Sequence, residues 1–129
     1  MTEIKLYQNF ESALNKLKQY ISTPVTEERD VSGIIQAFEY TFELSWKTLQ
    51  KALISEGFEP RGPKHCIELG IKHGHIKFAS EDVWKSILSD RNLTVHTYKE
   101  QTANLVLENI VKKYVTEFEA LLHFLKENY

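Results

Sequence analysis

Apolar residues recur every three or four positions along most of this chain. In the first segment they are Ile4, Tyr7, Phe10, Leu14, Leu17 and Ile21. Residues with this spacing lie on one face of an α-helix, and the alternation typical of strands is nearly absent. The pattern predicts helices at about 3–22, 28–56, 80–97 and 100–126, and a short helix from about 63 to between 70 and 74. Four longer helices and one short helix predict an all-α fold, an antiparallel up-and-down bundle.

Length and composition indicate an ordinary globular protein. The chain has 129 residues, of which 42% are hydrophobic and 26% are charged, so residues 1–129 are expected to form one domain. Its single cysteine, Cys66, cannot form an internal disulfide, and the N-terminus does not resemble a signal peptide, which favours the cytoplasm. No run approaches eighteen apolar residues, so no membrane span is expected. A net charge of −2 excludes a global basic footprint, and any contact with RNA would be local.

The segment RNLTVHTY, from Arg91 to Tyr98, places a charge among apolar neighbours. Arg91 falls within the stripe formed by Trp84, Ile87, Leu88 and Val95. In one interpretation the arginine forms a structural ion pair with Glu39 or Glu43 of the second helix. In the other, Arg91 and His96 hold a phosphodiester in a half-open cleft. The two positions lie roughly 140° apart round a straight helix, so the second interpretation requires a bend or a second subunit.

Two further groups of residues are candidate sites. His65, Cys66, His73 and His75 include potential metal ligands, but their spacing matches no strong zinc pattern. No metal is therefore expected, and the histidines are expected to be exposed to solvent. The segment from Arg61 to Lys77 is basic, with Arg61, Lys64, Lys72 and Lys77 against Glu68 alone. It either engages RNA phosphates or an acidic partner, or is a solvated short helix.

Two stretches of the chain resemble one known superfamily. RNLTVHTY is similar to the signature of HEPN-superfamily toxins of the HepT type: arginine, four residues, histidine, one residue, tyrosine. FEYTFELSWKTLQKAL, from Phe38 to Leu53, resembles the nucleotidyltransferase substrate-binding protein family, a branch of the same superfamily. The resemblance continues through GPKHCIELG and DVWKSILSDRNLTVHTYKE and covers nearly the whole chain.

The resemblance implies a fold, a partner and a chemistry. Members are small helical bundles that form homodimers, and many are metal-independent endoribonucleases that need no cofactor. Their partner is a minimal nucleotidyltransferase, which acts as the antitoxin in the toxin–antitoxin version by transferring AMP to the motif tyrosine. By this resemblance Arg91 and His96 become the catalytic pair, Asn92 a supporting group and Tyr98 the residue that receives AMP. The alternative is a non-catalytic subunit that binds substrate for a two-component nucleotidyltransferase.

Overall fold

The computed structural model describes the backbone of residues 2–96 and 100–129 and the side chains of residues 7–94 and 101–129. Helices α1 (Thr2–Ile21), α2 (Glu28–Ser55) and α3 (Gly62–Lys72) are followed by a 3₁₀ turn, Phe78–Ser80. After helix α4 (Glu81–His96) come α5 (Glu100–Asn109), a π-helical turn (Ile110–Tyr114) and α6 (Val115–Asn128). No helix within the described ranges is long and apolar enough to cross a bilayer.

The predicted all-α bundle of four longer helices and one short helix is confirmed. The helix expected at about 100–126 is present as α5, the π turn and α6 in direct succession. No strand occurs in the part of the chain that the structure describes. Within the described residues the structure departs from the expected helices at the 3₁₀ turn before α4 and at the π turn, in which one extra residue enters the helical repeat.

Helix α2 forms the centre of the bundle and packs against α1, α3, α4, α5 and α6. Its fully buried face carries Phe38, Phe42, Leu49 and Leu53 at helical spacing. The helix begins where the Asp30 carboxylate accepts the backbone N–H groups of Thr26 and Glu27. It ends before Gly57, whose φ of +95° turns the chain away from the helical path.

Helix α4 lies on this core through Trp84 and Ile87, which are buried. The Trp84 indole packs edge-on against Phe118 of α6, and its Nε1 donates to Glu117 Oε1 at 3.2 Å. Ser80 Oγ, just before α4, donates to the other oxygen of Glu117 at 3.0 Å. These contacts hold the start of α4 against α6.

Candidate functional site

Arg91 lies on the core-facing stripe of α4, as the spacing predicted, and forms an ion pair with α2. Its Nη2 donates to Glu43 Oε1 at 2.6 Å, and each of the two side chains is 29% exposed. The guanidinium carbon lies 5.9 Å from the centre of the Phe42 ring. The structural ion pair proposed from the sequence is therefore confirmed with Glu43.

Glu39, the other carboxylate that the sequence offered to Arg91, binds a different residue. Thr94 Oγ1 lies 3.0 Å from Glu39 Oε2 and 3.0 Å from the Arg91 carbonyl oxygen, so its single hydroxyl hydrogen is shared between these two acceptors. Glu39 and Glu43 are one helical turn apart on α2, and Arg91 and Thr94 are nearly one turn apart on α4. The Arg91–Glu43 and Thr94–Glu39 contacts thus lie on adjacent helical turns and join α4 to α2 along one edge.

The Arg91 guanidinium keeps donors that the ion pair does not use. An arginine carries five N–H donors, and the Nε donor is buried with no acceptor within the described chain. Burying a donor without a partner costs free energy, so this position of the arginine needs a reason beyond the pair with Glu43. Because Nε has almost no accessible surface, a phosphate from outside would meet the Nη donors that Glu43 leaves unused, and a planar guanidinium held in one orientation suits phosphate oxygens.

The structure describes the side chain of Asn92 but not the side chains of His96 and Tyr98. Asn92 is exposed next to Arg91. His96 is the last residue of α4, but its side chain lies outside the described part of the chain, and Tyr98 lies wholly outside it. Because α4 is one α-helix to His96, the Cα atoms of residues 91 and 96 are roughly 140° apart round its axis. The Arg91–His96 pair, the role of Asn92 and the modification of Tyr98 all stay predictions.

The surroundings of Arg91 are rich in carboxylates. Glu39 and Glu43 face α4 from α2, Asp90 precedes Arg91, and Lys47 Nζ lies 3.8 Å from Glu43 Oε2. An incoming phosphate would meet these negative charges as well as the arginine. The sequence showed Glu39 and Glu43 only as candidates, because both lie on one edge of α2.

The histidine-rich segment gives a different result from the one expected. The expectation of exposed histidines is wrong for His75, which is 5% exposed. The chain turns back after α3 so that His75 Nε2 meets Glu56 Oε2 at 2.7 Å, and its ring packs against Phe124. This contact between the end of α2 and the loop after α3 is tertiary, and no local pattern in the sequence indicates it.

The remaining members of that segment have structural partners. His65 Nδ1 accepts the Arg61 backbone N–H at 2.9 Å, at the start of α3, and His73 stacks on Phe58 with ring centres 4.2 Å apart. Cys66 is fully buried, which raises the pKa of its thiol to about 11 and makes it a poor nucleophile and ligand. Across the described residues, no three His, Cys, Asp or Glu side chains converge on a point that could hold a metal ion.

The basic segment from Arg61 to Lys77 is solvated. Its four cations are all exposed: Arg61, Lys64, Lys72 and Lys77. None of them pairs with a carboxylate within the described residues. Exposed cations of this kind fit both a solvated short helix and a surface that binds RNA or an acidic partner, so both interpretations stay predictions.

Known proteins resemble this chain in both sequence and fold. The family model described as nucleotidyltransferase substrate binding protein like matches residues 5–127. A Haemophilus influenzae protein described as a probable ribonuclease HepT is 28% identical over 108 residues, which are 80% of this chain and 72% of that protein. A crystal structure of a Thermus thermophilus protein is 34% identical, covers 91% of this chain and 98% of its own, and superposes with a TM-score of 0.83. The chain belongs to the nucleotidyltransferase substrate-binding-protein-like family.

Proposed function

We propose that this protein is the toxin of a HEPN/minimal-nucleotidyltransferase pair and acts as a metal-independent endoribonuclease in the cytoplasm. Residues 1–129 would act as one domain. The observation that carries the proposal is Arg91, a half-buried arginine held by Glu43 on the core-facing stripe of α4, whose ion pair uses only one of its two Nη groups. A probable ribonuclease among its relatives supports the same interpretation.

The proposed reaction needs only the side chains of the motif. His96 removes the proton from a ribose 2′-hydroxyl, and the 2′-oxygen attacks the adjacent phosphorus. The bond from phosphorus to the 5′-oxygen breaks, the protonated His96 returns its proton to the 5′-oxygen directly or through water, and the other product ends in a 2′,3′-cyclic phosphate. Arg91 neutralises the charge that grows on the phosphate oxygens in the transition state. Asn92, exposed beside Arg91, would orient the phosphate or the ribose.

Glu43 has a positioning role in this proposal. Its carboxylate accepts from Nη2 of Arg91, so the guanidinium keeps one orientation before substrate arrives. A group fixed in advance loses less conformational entropy when it binds the transition state. The same carboxylate also lowers the net positive charge of the site, which makes phosphate binding weaker than at an unpaired arginine.

The geometry of α4 favours a site shared by two copies of the chain. Residues 91 and 96 diverge by roughly 140° on a continuous helix, so one phosphodiester cannot easily lie between them within one copy. A two-fold dimer that brings the two α4 helices together places residue 91 of one protomer near residue 96 of the other. The homodimer is thus part of the proposal.

A second candidate function rests on the acidic surroundings of Arg91. Glu39, Glu43 and Asp90 lie around it, and the net charge of the chain is −2. A non-catalytic subunit that presents a substrate to a nucleotidyltransferase needs no strong attraction for RNA. The match of residues 5–127 to a substrate-binding family agrees with this alternative.

An RNA-cleavage assay separates the two functions. The purified protein is incubated with a mixed-sequence fluorescent RNA in the presence of EDTA, beside Arg91→Ala, His96→Ala and His123→Ala variants. His123 is the matched control, because it is 73% exposed and contacts only Glu127 within the described chain. Cleavage by the wild type and by His123→Ala, with a loss of about 10²-fold or more in the other two variants, supports the nuclease. Equal rates in all four proteins, or no cleavage by any, contradict it and leave the binding subunit.

A further inference from the structure

We propose that Asp90, Asn109 and Tyr114 form a clamp that positions Arg91, and that the π turn exists to build this clamp. Asp90 and Tyr114 would be positioning residues, since neither is expected to touch RNA. The expected effect of the clamp on catalysis rests on the proposed ribonuclease function. The structural part, in which the clamp sets the placement of the Arg91 guanidinium, can be tested without any activity.

The clamp is a set of short contacts to one carboxylate oxygen. The Tyr114 hydroxyl donates to Asp90 Oδ2 at 2.5 Å, and Asn109 Nδ2 donates to the same oxygen at 3.1 Å. Tyr114 is fully buried, and its ring stacks on Phe38 with centres 5.6 Å apart. Burial of the phenol and its bond to Asp90 raise the pKa of Tyr114 far above its usual range, so it remains a donor.

The π turn explains how two side chains from one helix reach the same oxygen. In an α-helix, residues five apart lie roughly 140° apart round the axis and point to different neighbours. A turn closed by i→i+5 hydrogen bonds holds roughly 4.4 residues, so residues five apart differ by only about 50°. Asn109 precedes the π turn and Tyr114 is its last residue. Both side chains reach Asp90 of α4. Regular α-helix at this point would turn one of them away.

The position of Asp90 connects the clamp to the proposed site. Asp90 precedes Arg91, so the two side chains leave α4 about 100° apart. Asp90 ties that turn to the helix that follows, and Arg91 ties it to Glu43 of α2. The turn is thus held from two sides, which restricts both rotation and sliding of α4 where the guanidinium emerges. Without the clamp, the contacts of Arg91 and Thr94 with α2 and the buried stripe would hold it from one side alone.

The test compares two variants that each remove a side-chain donor joining α4 to the last helical segment. Tyr114→Phe removes the hydroxyl and keeps the ring that stacks on Phe38. Trp84→Phe is the control, because it removes the bond from Nε1 to Glu117, two turns before Arg91. Each variant is first compared with the wild type by urea unfolding, to establish that it folds.

Two readouts then follow Arg91. The Nε–H signal of Arg91 is recorded by ¹⁵N NMR and identified by its absence in Arg91→Lys; the other arginines are Arg29 and Arg61, both exposed. The kcat and KM for RNA cleavage are measured in parallel. We expect Tyr114→Phe to shift the Nε–H signal and to lower kcat roughly 10-fold or more with KM little changed, because misplacement affects the transition state most. Trp84→Phe should do neither.

The outcomes separate the clamp from the proposed function. An Nε–H signal unchanged in Tyr114→Phe, or shifted equally in Trp84→Phe, overturns the clamp. Asp90→Asn keeps an acceptor oxygen, so we expect it to change the Nε–H signal and kcat much less than Asp90→Ala does. Equal changes in the two variants would also overturn the clamp. If the wild type cleaves no RNA, the nuclease proposal fails, and the Nε–H signal still decides whether the clamp positions Arg91.

Discussion

Arg91 and Glu43 are 48 residues apart in the chain, and the Nη2 and Oε1 atoms of their side chains are 2.6 Å apart. Both side chains are less than one-third exposed, so the pair is partly shielded from water. A pair in such a place is weaker evidence for stability than for orientation, because desolvation offsets much of the attraction. We therefore expect the Arg91–Glu43 pair to matter more for the orientation of the guanidinium than for the free energy of unfolding.

Replacing Glu43 with glutamine tests this placement. Glu43→Gln keeps an acceptor oxygen and removes the charge, so we expect a loss of about 1–2 kcal/mol in the free energy of unfolding. Cleavage of RNA should fall because the guanidinium is less restrained. Urea unfolding and initial rates measure the two effects. Glu39→Gln is the control, since Glu39 accepts from Thr94 and not from Arg91. A Glu43→Gln protein that cleaves faster than wild type would mean that Glu43 competes with the phosphate instead.

Complementation between inactive variants tests the shared site. Arg91→Ala and His96→Ala should each be inactive alone. After the two are mixed and the subunits exchange, heterodimers should carry one site with Arg91 from one chain and His96 from the other. After complete exchange, half of the dimers would be heterodimers, and each heterodimer would have one intact site out of two. Activity should therefore return to about a quarter of the wild-type rate. Light scattering and subunit labelling would show that the dimers have exchanged. If the exchanged mixture is still inactive, Arg91 and His96 of each site belong to the same chain.

Control by a nucleotidyltransferase is expected to act at Tyr98. Co-expression with the cognate enzyme should add one or more AMP groups to this tyrosine, detected by mass spectrometry of the intact protein and its peptides. The added phosphate would compete with RNA for Arg91 through charge-assisted hydrogen bonds. Tyr98→Phe should keep its nuclease activity and escape inhibition, whereas Tyr40→Phe, at a tyrosine that is 60% exposed on α2, should be inhibited as wild type is. Normal inhibition of Tyr98→Phe would exclude this residue as the acceptor.

Acid stability should depend on Asp30 at the start of α2. Its carboxylate accepts backbone N–H groups of Thr26 and Glu27, and these bonds lower its pKa below the usual 3.8. A folded-state pKa below the unfolded value means that the stabilisation is present above pH 3.8 and is lost as pH falls through the lower folded value.

Asp30→Asn should therefore unfold at a lower temperature than wild type at neutral pH, and the difference should shrink as the pH falls below 3.8. Thermal unfolding followed by circular dichroism between neutral and acid pH measures it. Asp82→Asn is the control, since the Asp82 side chain is exposed and has no hydrogen bond among the described residues. A gap between wild type and Asp30→Asn that stays constant into acid would mean that the capping bonds do not depend on the charge.

Much of the fold was predictable because its signals are local. Helical periodicity needs only neighbours three and four residues away. The turn at Gly57 follows from the freedom of glycine to adopt a positive φ, and the start of α3 beside Pro63 follows from the fixed φ of proline. For the same reason the sequence alone places Arg91 on the buried face of α4. It also narrows the partner of Arg91 to two carboxylates on one edge of α2.

Three features depended on how the helices pack. The axial offset between α4 and α2 decided that Arg91 meets Glu43 while Glu39 meets Thr94. Return of the loop after α3 to the end of α2 buried His75 against Glu56, a residue 19 positions earlier. The π turn interrupts a stripe whose spacing predicts one continuous helix, because Asn109 and Tyr114 both reach Asp90 on another element. Local propensity acts within a turn or two of chain, whereas the free energy of these contacts arises only after distant segments meet, so tertiary structure alone decides them.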